Sequence, residues 1–141
     1  MRIPVILAML ACSSANAATW VVIEPFGDQG FQISIDTDGI AQEGELRKAW
    51  VKWEYTEPRL LPRASTQEPE RYFVETLEMS YYHCQKRKSA LVRIIHRGSD
   101  GKIVSNLTRT TEELKYAEEA PDSLGEIMLE AACSWTLDSR P

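Results

Sequence analysis

The sequence contains few of the residues from which enzyme active sites are built. Only three cysteines and two histidines occur among its 141 residues. A nucleophilic triad needs a histidine beside an activated serine or cysteine, together with an orienting carboxylate. No Gly-x-Ser-x-Gly elbow and no phosphate-binding glycine loop is present. We therefore predict that the protein is not an enzyme and binds no cofactor.

Two local patterns come closest to a metal site. His83 adjoins Cys84, but neighbouring residues of a strand point to opposite faces, so an ordinary strand histidine explains it. The segment Asp36-x-Asp38-Gly39, followed by two glutamates, shares carboxylates with a calcium loop. It lacks the third ligand before the glycine and the glutamate at the required spacing. A turn after a strand explains these residues, and we expect no metal.

Positive charge is in short supply, because 16 Lys and Arg face 21 Asp and Glu, giving a net charge of −5. Such a chain has no general attraction to nucleic acid, which argues against a nucleic-acid partner. One local exception is a group of five cations, namely Lys86, Arg87, Lys88, Arg93 and Arg97. They form a candidate basic patch for an acidic partner, a glycan or a lipid headgroup. A solvated hairpin is the alternative interpretation.

Long hydrophobic runs are also missing. The only apolar stretch, residues 3–11, is too short to span a bilayer, so we expect no transmembrane segment. Arg2 precedes this stretch and an Ala-x-Ala pattern ending at Ala17 follows it, which predicts a signal peptide over residues 1–17. A lipoprotein anchored at Cys12 is the alternative. By either route the chain is exported, to the periplasm, the outer surface or the extracellular medium.

The expected mature chain, residues 18–141, has the length of a single domain. Its only cysteines, Cys84 and Cys133, form an even pair in an oxidising compartment, which favours a disulfide. Two free buried thiols are the alternative. A bridge that closes a loop of about fifty residues stabilises a fold by about 4 kcal/mol in the chain-entropy description.

Alternating apolar and β-branched residues predict an antiparallel sheet. In the third predicted strand, Ala49, Val51, Trp53 and Tyr55 share one face, opposite a mostly polar face. The turn Gly98-Ser99-Asp100-Gly101 joins two strands into a hairpin. The predicted strands span residues 19–24, 31–36, 46–55, 72–84, 90–97 and 102–107, of which 77–84 is the more convincing half of the fourth.

Two further segments have sequence signals of their own. Residues 57–69 contain three prolines and few aliphatic residues, which predicts a loop. Ser123-x-x-Glu126 is a capping box, and the apolar spacing that follows predicts a C-terminal helix. Cys133 lies at the margin of the apolar face of this helix, where a disulfide would clamp it to the sheet. The fold class predicted is therefore α+β.

A series of short motifs runs through nearly the whole mature chain. They are the opening Trp20 strand, a strand ending in Asp36, Gly44 leading to Trp50, Trp53-Glu54-Tyr55, Tyr82-x-Cys84-x-x-Arg87, Gly101-x-x-Val104, and Pro121-x-Ser123 before a helix bearing Cys133. In this order they resemble the surface-adhesin protein E family of bacterial exported proteins. The resemblance implies a curved antiparallel sheet of about six strands, with the C-terminal helix docked on it by the disulfide.

The resemblance also implies a function. It indicates an adhesin-like, non-enzymatic binding protein whose partners are host or envelope proteins, with a homo-oligomer left open. An alternative is a periplasmic inhibitor or accessory factor of an envelope enzyme, in which the loop over residues 57–69 would be the inserting element. A small enzyme or ligand carrier is the least favoured.

Overall fold

The computed structural model describes residues 17–137. Cys12 and all of the predicted signal peptide except Ala17 lie outside these residues. A sheet and one helix, α1 (Leu124–Ser134), organise the described chain, and a short 3-10 turn covers Thr111–Glu113. The strands are β1 (Trp20–Glu24), β2 (Phe31–Asp36), β3 (Ala41–Glu43), β4 (Leu46–Leu60), β5 (Tyr72–His83), β6 (Lys88–Arg97), β7 (Ile103–Thr108) and β8 (Ala117–Glu118).

All strand pairs are antiparallel, and the main path of the sheet is β1-β2-β4-β5-β6-β7. The short strands β3 and β8 extend the pairing of β4 and β6. Six strands on the main path and one C-terminal helix confirm the predicted α+β class. Within residues 17–137, no helix has the length and apolar character needed to cross a bilayer.

The aliphatic core lies where α1 packs on one face of the sheet. The sheet contributes Ile33, Ile35 and Val51, each at most 1% exposed, and the helix contributes Leu129 and Ala132. This confirms the face predicted for the third strand, because alternation along β4 places every second side chain under the helix.

Three ties hold α1 against the sheet. The first is the Cys84–Cys133 disulfide, whose Cα atoms are 5.7 Å apart, within the usual range for such bridges. The second is Arg47 on β4, whose Nη1 donates to the Ala132 carbonyl at 2.8 Å and to the Trp135 carbonyl at 2.6 Å. The third is a double ion pair from Arg87, in the turn between β5 and β6, to Glu126 and Glu130 of α1. The disulfide predicted from the cysteine count is confirmed.

The start of α1 follows the predicted cap with one difference. The Ser123 hydroxyl accepts the Glu126 N–H at 3.1 Å, as a capping residue does. The Glu126 carboxylate accepts the N–H of Asp122 at 2.7 Å, one residue before the position a capping box uses. Gly125 costs helix propensity, and its open Cα position is occupied by the Glu119 carboxylate, which would have to move to admit a Cβ.

Beyond the helix, three rings, Tyr55, Phe73 and His96, form an aromatic cluster on the same face of the sheet, and the Thr76 hydroxyl connects two of them. The Tyr55 hydroxyl donates to Thr76 Oγ1 at 3.4 Å, and Thr76 Oγ1 lies 2.9 Å from His96 Nδ1. The Phe73 ring packs on the His96 ring with centroids 4.2 Å apart. Burial lowers the pKa of His96, which favours the neutral ring that can accept this hydrogen bond. Phe73 is buried outside the aliphatic core.

Glu78 lies between the two clusters. Its Oε2 accepts the indole N–H of Trp53 at 3.2 Å, and burial raises the pKa of the carboxyl group. Trp53 packs against the edge of the aliphatic core. The carboxyl group therefore lies at the boundary between an apolar region and a hydrogen-bonded one.

The prediction of a loop over residues 57–69 is wrong at its start. β4 continues to Leu60 and pairs with β5 through Arg59 and Phe73, so the connection covers residues 61–71. The register shifts between Glu54 and Arg59, and Pro58 lies inside this irregular stretch. A bulge tolerates the missing N–H of proline, which is why Pro58 does not end the strand.

Candidate partner-binding surface

The sheet has a second face that α1 does not cover, which we call the open face. Lys48, Trp50 and Lys52 of β4 lie on it, since they alternate with the residues packed under the helix. Directly opposite residues of neighbouring strands share a face, which adds Met79 and Tyr81 of β5. The same rule places Leu77 and Ile95 on this face, both less than 10% exposed, so the open face combines cations, aromatic rings and methionine with a small buried apolar centre.

Most charges of the open face are paired within it. The three closest ion pairs join neighbouring side chains: Lys48 to Glu43 at 2.8 Å, Arg97 to Glu75 at 3.1 Å, and Lys52 to Glu54 at 3.4 Å. Exposed pairs of this kind contribute little to stability. They do neutralise the face locally.

Two cations of this face also lie over indole rings. The Lys52 ammonium is 5.0 Å from the Trp20 ring centre, and the Arg93 guanidinium is 6.0 Å from the Trp50 ring centre. Arg93 Nε also donates to the side-chain oxygen of Asn106 at 3.1 Å. Arg93 thus lies between the Trp50 ring and the Asn106 side chain.

The five residues of the predicted basic patch are spread over the fold. Lys88 and Arg97 stand at opposite ends of β6, about 30 Å apart along the strand. Arg87, in the turn between β5 and β6, reaches α1 instead, with Nη2 2.6 Å from Glu126 and 2.8 Å from Glu130. This double ion pair is the third tie on the helix. A binding role for the five residues stays a prediction.

A cleft opens at the disulfide end of the open face. Its floor follows directly opposite residues of four strands, namely Glu43, Leu46, His83 and Lys88, and Glu118 continues this row beyond the cleft. Glu45, Lys86 and Tyr116 complete the lining of the cleft. Its volume of about 540 Å³ lies in the size range of ligand-binding clefts.

On the acidic side of the cleft, the Glu43 carboxylate has hydrogen-bond partners. Hydrogen bonds from Lys48 and from the Tyr81 hydroxyl, at 2.8 Å each, hold the pKa of Glu43 below its ordinary value. The same bond to Glu43 raises the pKa of Tyr81. Glu43 therefore stays ionised, with both partners on its own side of the cleft.

The centre of the cleft is His83, whose two ring nitrogens have distinct partners. The Lys86 backbone N–H donates to His83 Nδ1 at 3.3 Å, and His83 Nε2 lies 3.3 Å from Glu45 Oε2. A backbone N–H can only donate, so Nδ1 accepts and the ring proton is on Nε2. The imidazole thus connects the turn that carries Lys86 to Glu45 at the wall of the cleft.

The family of surface-adhesin protein E matches residues 20–134, which is most of the chain. The chain belongs to the surface-adhesin protein E family. Among curated protein sequences, no significant match to it was found.

Solved structures of protein E from Haemophilus influenzae share the fold. A second crystal form of that protein aligns with a TM-score of 0.51 and 12% identity, over 82% of this chain and 96% of the other. Protein E from non-typeable Haemophilus influenzae aligns with a TM-score of 0.50 and 12% identity, over 87% of this chain and 78% of the other. At 12% identity, these alignments show that this adhesin E family member shares the fold of protein E.

Sequence reasoning missed most of the cleft. It treated His83 as an ordinary strand histidine and did not single out Glu45, Leu46 or Tyr116 as site residues. The row across five strands depends on the pairing register, which joins residues up to 75 positions apart, from Glu43 to Glu118. A local signal existed only for Lys86 and Lys88, as part of a basic run in an acidic chain.

Proposed function

We propose that this protein is an exported, non-enzymatic adhesin-like protein that binds other proteins outside the cell through the open face of its sheet. Membership of the surface-adhesin family over residues 20–134 is the observation that carries the proposal. The open face supports it, because aromatic residues and arginine are enriched where proteins meet, and Trp50 and Arg93 stand together there.

The residues proposed to contact a partner are the cations that the open face presents. Lys86 and Lys88 border the cleft, and Arg93 and Arg97 follow along β6. Arg87 is not included, because its guanidinium reaches Glu126 and Glu130 of α1, on the side of the sheet opposite the open face. The inhibitor alternative gains no support from the family.

Binding to immobilised extracellular-matrix and serum proteins tests the function. The purified exported protein is passed over each surface, and we expect saturable binding to at least one at micromolar concentration. The Arg93→Glu/Arg97→Glu variant should bind more weakly, because each substitution replaces a positive charge on the open face with a negative one. An absence of saturable binding on every surface would overturn the proposal.

Export is tested on the same protein. Processing after Ala17 predicts an intact mass that begins at residue 18, whereas the lipoprotein alternative predicts a lipid-bearing chain that begins at Cys12. Surface labelling of whole cells should reach the protein. Strictly periplasmic residence would contradict the adhesin function, since the open face could then meet no external partner.

A further inference from the structure

The cleft at the disulfide end contains one cation that the fold leaves available. Of the five patch residues, Arg87 and Arg97 are held by glutamates within 3.1 Å, and Lys88 has Glu118 at 3.9 Å. Lys86 is exposed and borders the cleft, and among residues 17–137 its ammonium forms no ion pair within 4 Å. A charge in this position can bind an external anion without first giving up a partner.

The backbone that presents Lys86 is fixed from several directions. The turn begins at Cys84, which the disulfide joins to α1. It ends at Arg87, which has a left-handed φ of 50° and is tied to both Glu126 and Glu130. Between them, the Lys86 N–H is bound to His83. A lysine held on such a turn loses less conformational freedom on binding than one on a mobile loop.

The walls of the cleft limit what that anion can be. Glu45 is 80% exposed on one side, and Glu118 is 79% exposed beyond Lys88. These carboxylates would repel a polyanion such as a sulfated glycan or an anionic membrane surface. A single carboxylate directed at Lys86 avoids them. Tyr116, 40% exposed, and Leu46 give an apolar surface for the adjoining part of the ligand.

We infer that this cleft binds an acidic segment of a partner protein, with an Asp or Glu carboxylate of the partner on Lys86 and its neighbouring residues against Tyr116 and Leu46. The inference names the contact through which the proposed function operates and rests on that function for its biological role. The site itself is defined by the cleft alone. It can therefore be tested without knowledge of the partner.

The test uses the oxidised, isotope-labelled exported protein and two capped peptides, acetyl-Gly-Glu-Gly-amide, which carries a single carboxylate, and acetyl-Gly-Gln-Gly-amide, which carries none. NMR titration with the Glu peptide should move the amide signals of His83, Lys86, Lys88 and Tyr116 in a saturable way. The Gln peptide should bind about tenfold more weakly, since it lacks the charge-assisted bond to Lys86. Equal affinity for the two peptides would overturn the inference.

A matched pair of variants locates the effect. Lys86→Glu should reduce affinity for the Glu peptide by at least about tenfold, and Lys86→Met by somewhat less, because it removes attraction without adding repulsion. Lys102→Glu makes the same charge change on the exposed turn beyond β6 and should leave binding unchanged. Equal losses in Lys86→Glu and Lys102→Glu would show attraction by net charge only and overturn the site.

Two further results separate this inference from the proposed function. If the protein binds a matrix protein and Lys86→Glu does not alter that affinity, the cleft is not the contact and the proposed function stands. If a short sulfated oligosaccharide moves the cleft signals at lower concentration than the Glu peptide, the site belongs to a glycan and the inference fails. Unchanged thermal unfolding of Lys86→Glu will show that the variant is folded.

Discussion

The aliphatic core under α1 and the aromatic cluster beyond it close the same sheet in different ways. The core consists of branched and small side chains, such as Ile33, Val51 and Leu129, all nearly inaccessible to water. The aromatic cluster has no helix over it and relies on rings that carry polar atoms, with Thr76 bonded to both Tyr55 and His96. The helix α1 excludes water from the aliphatic core. In the aromatic cluster, large side chains exclude water and form hydrogen bonds with one another.

The difference shows how a short helix can close a sheet face that is longer than the helix itself. An aliphatic surface needs complete cover, whereas aromatic residues with a polar atom tolerate a partly wet environment. The disulfide, Arg47 and Arg87 tie α1 to one end of the sheet, so the helix does not have to span the whole sheet. The ties at this end also fix the turn that carries Lys86, so stability and the candidate site meet there.

Loss of the disulfide should weaken the helix-covered end most. We expect the Cys84→Ala/Cys133→Ala variant to lose about 4 kcal/mol of unfolding free energy, since the unfolded chain regains the freedom of a loop of about fifty residues. Urea unfolding of the variant and of reduced, alkylated wild-type protein should agree. Two free thiols in the mass spectrum of the oxidised exported protein would contradict the assignment.

A cavity in the aliphatic core should have the next largest effect. Leu129 is 1% exposed, so Leu129→Ala should cost about 3 kcal/mol of unfolding free energy through lost burial and an unfilled space. Leu107→Ala makes the same change at a residue that is 53% exposed on β7, where we expect a change within about 0.5 kcal/mol. Similar midpoints of urea unfolding for the two variants would refute the assigned core.

The arginine tie should contribute less. Arg47→Met keeps the aliphatic stem but removes the donors to the Ala132 and Trp135 carbonyls at the end of α1. Because these charge-assisted bonds are only partly buried, we expect a loss of about 1–2 kcal/mol. Arg59→Met, whose guanidinium makes a 3.4 Å bond to an exposed carbonyl, serves as the control. An equal loss in both would mean that Arg47 does not stabilise the helix end.

The smallest effect should be a pH trend at the boundary of the two clusters. Burial raises the pKa of Glu78 in the folded state, so the group favours folding below its unfolded pKa and that contribution is lost as pH rises through the folded pKa. The Glu78→Gln variant cannot ionise and can still accept the Trp53 N–H. Its stability relative to wild type should therefore increase from mildly acidic to neutral pH. A difference that is constant across this range would contradict the buried carboxyl.

Local patterns in the sequence predicted the fold well where each element carries its own signal. Alternation along β4 identified the face that α1 covers, and the glycine turn identified the β6–β7 hairpin. The predicted end of β4 was wrong, because proline usually indicates the end of a strand. Here pairing between Arg59 and Phe73 continues the strand past a bulge. The Glu126 bond to Asp122 was beyond reach, since it depends on the left-handed φ of 61° at Asp122.

The main strands, the helix, the cysteine pair and the family could be predicted from the sequence, because periodicity, spacing and short motifs are local properties of the chain. The use of the cations could not be predicted, because it depends on contacts between distant segments. Arg87 and Lys86 are neighbours in the chain, yet one is held by helix glutamates and the other borders an open cleft. That division follows from the pairing of β4, β5 and β6 and from the docking of α1, which bring distant carboxylates to one cation and leave the next available to a partner.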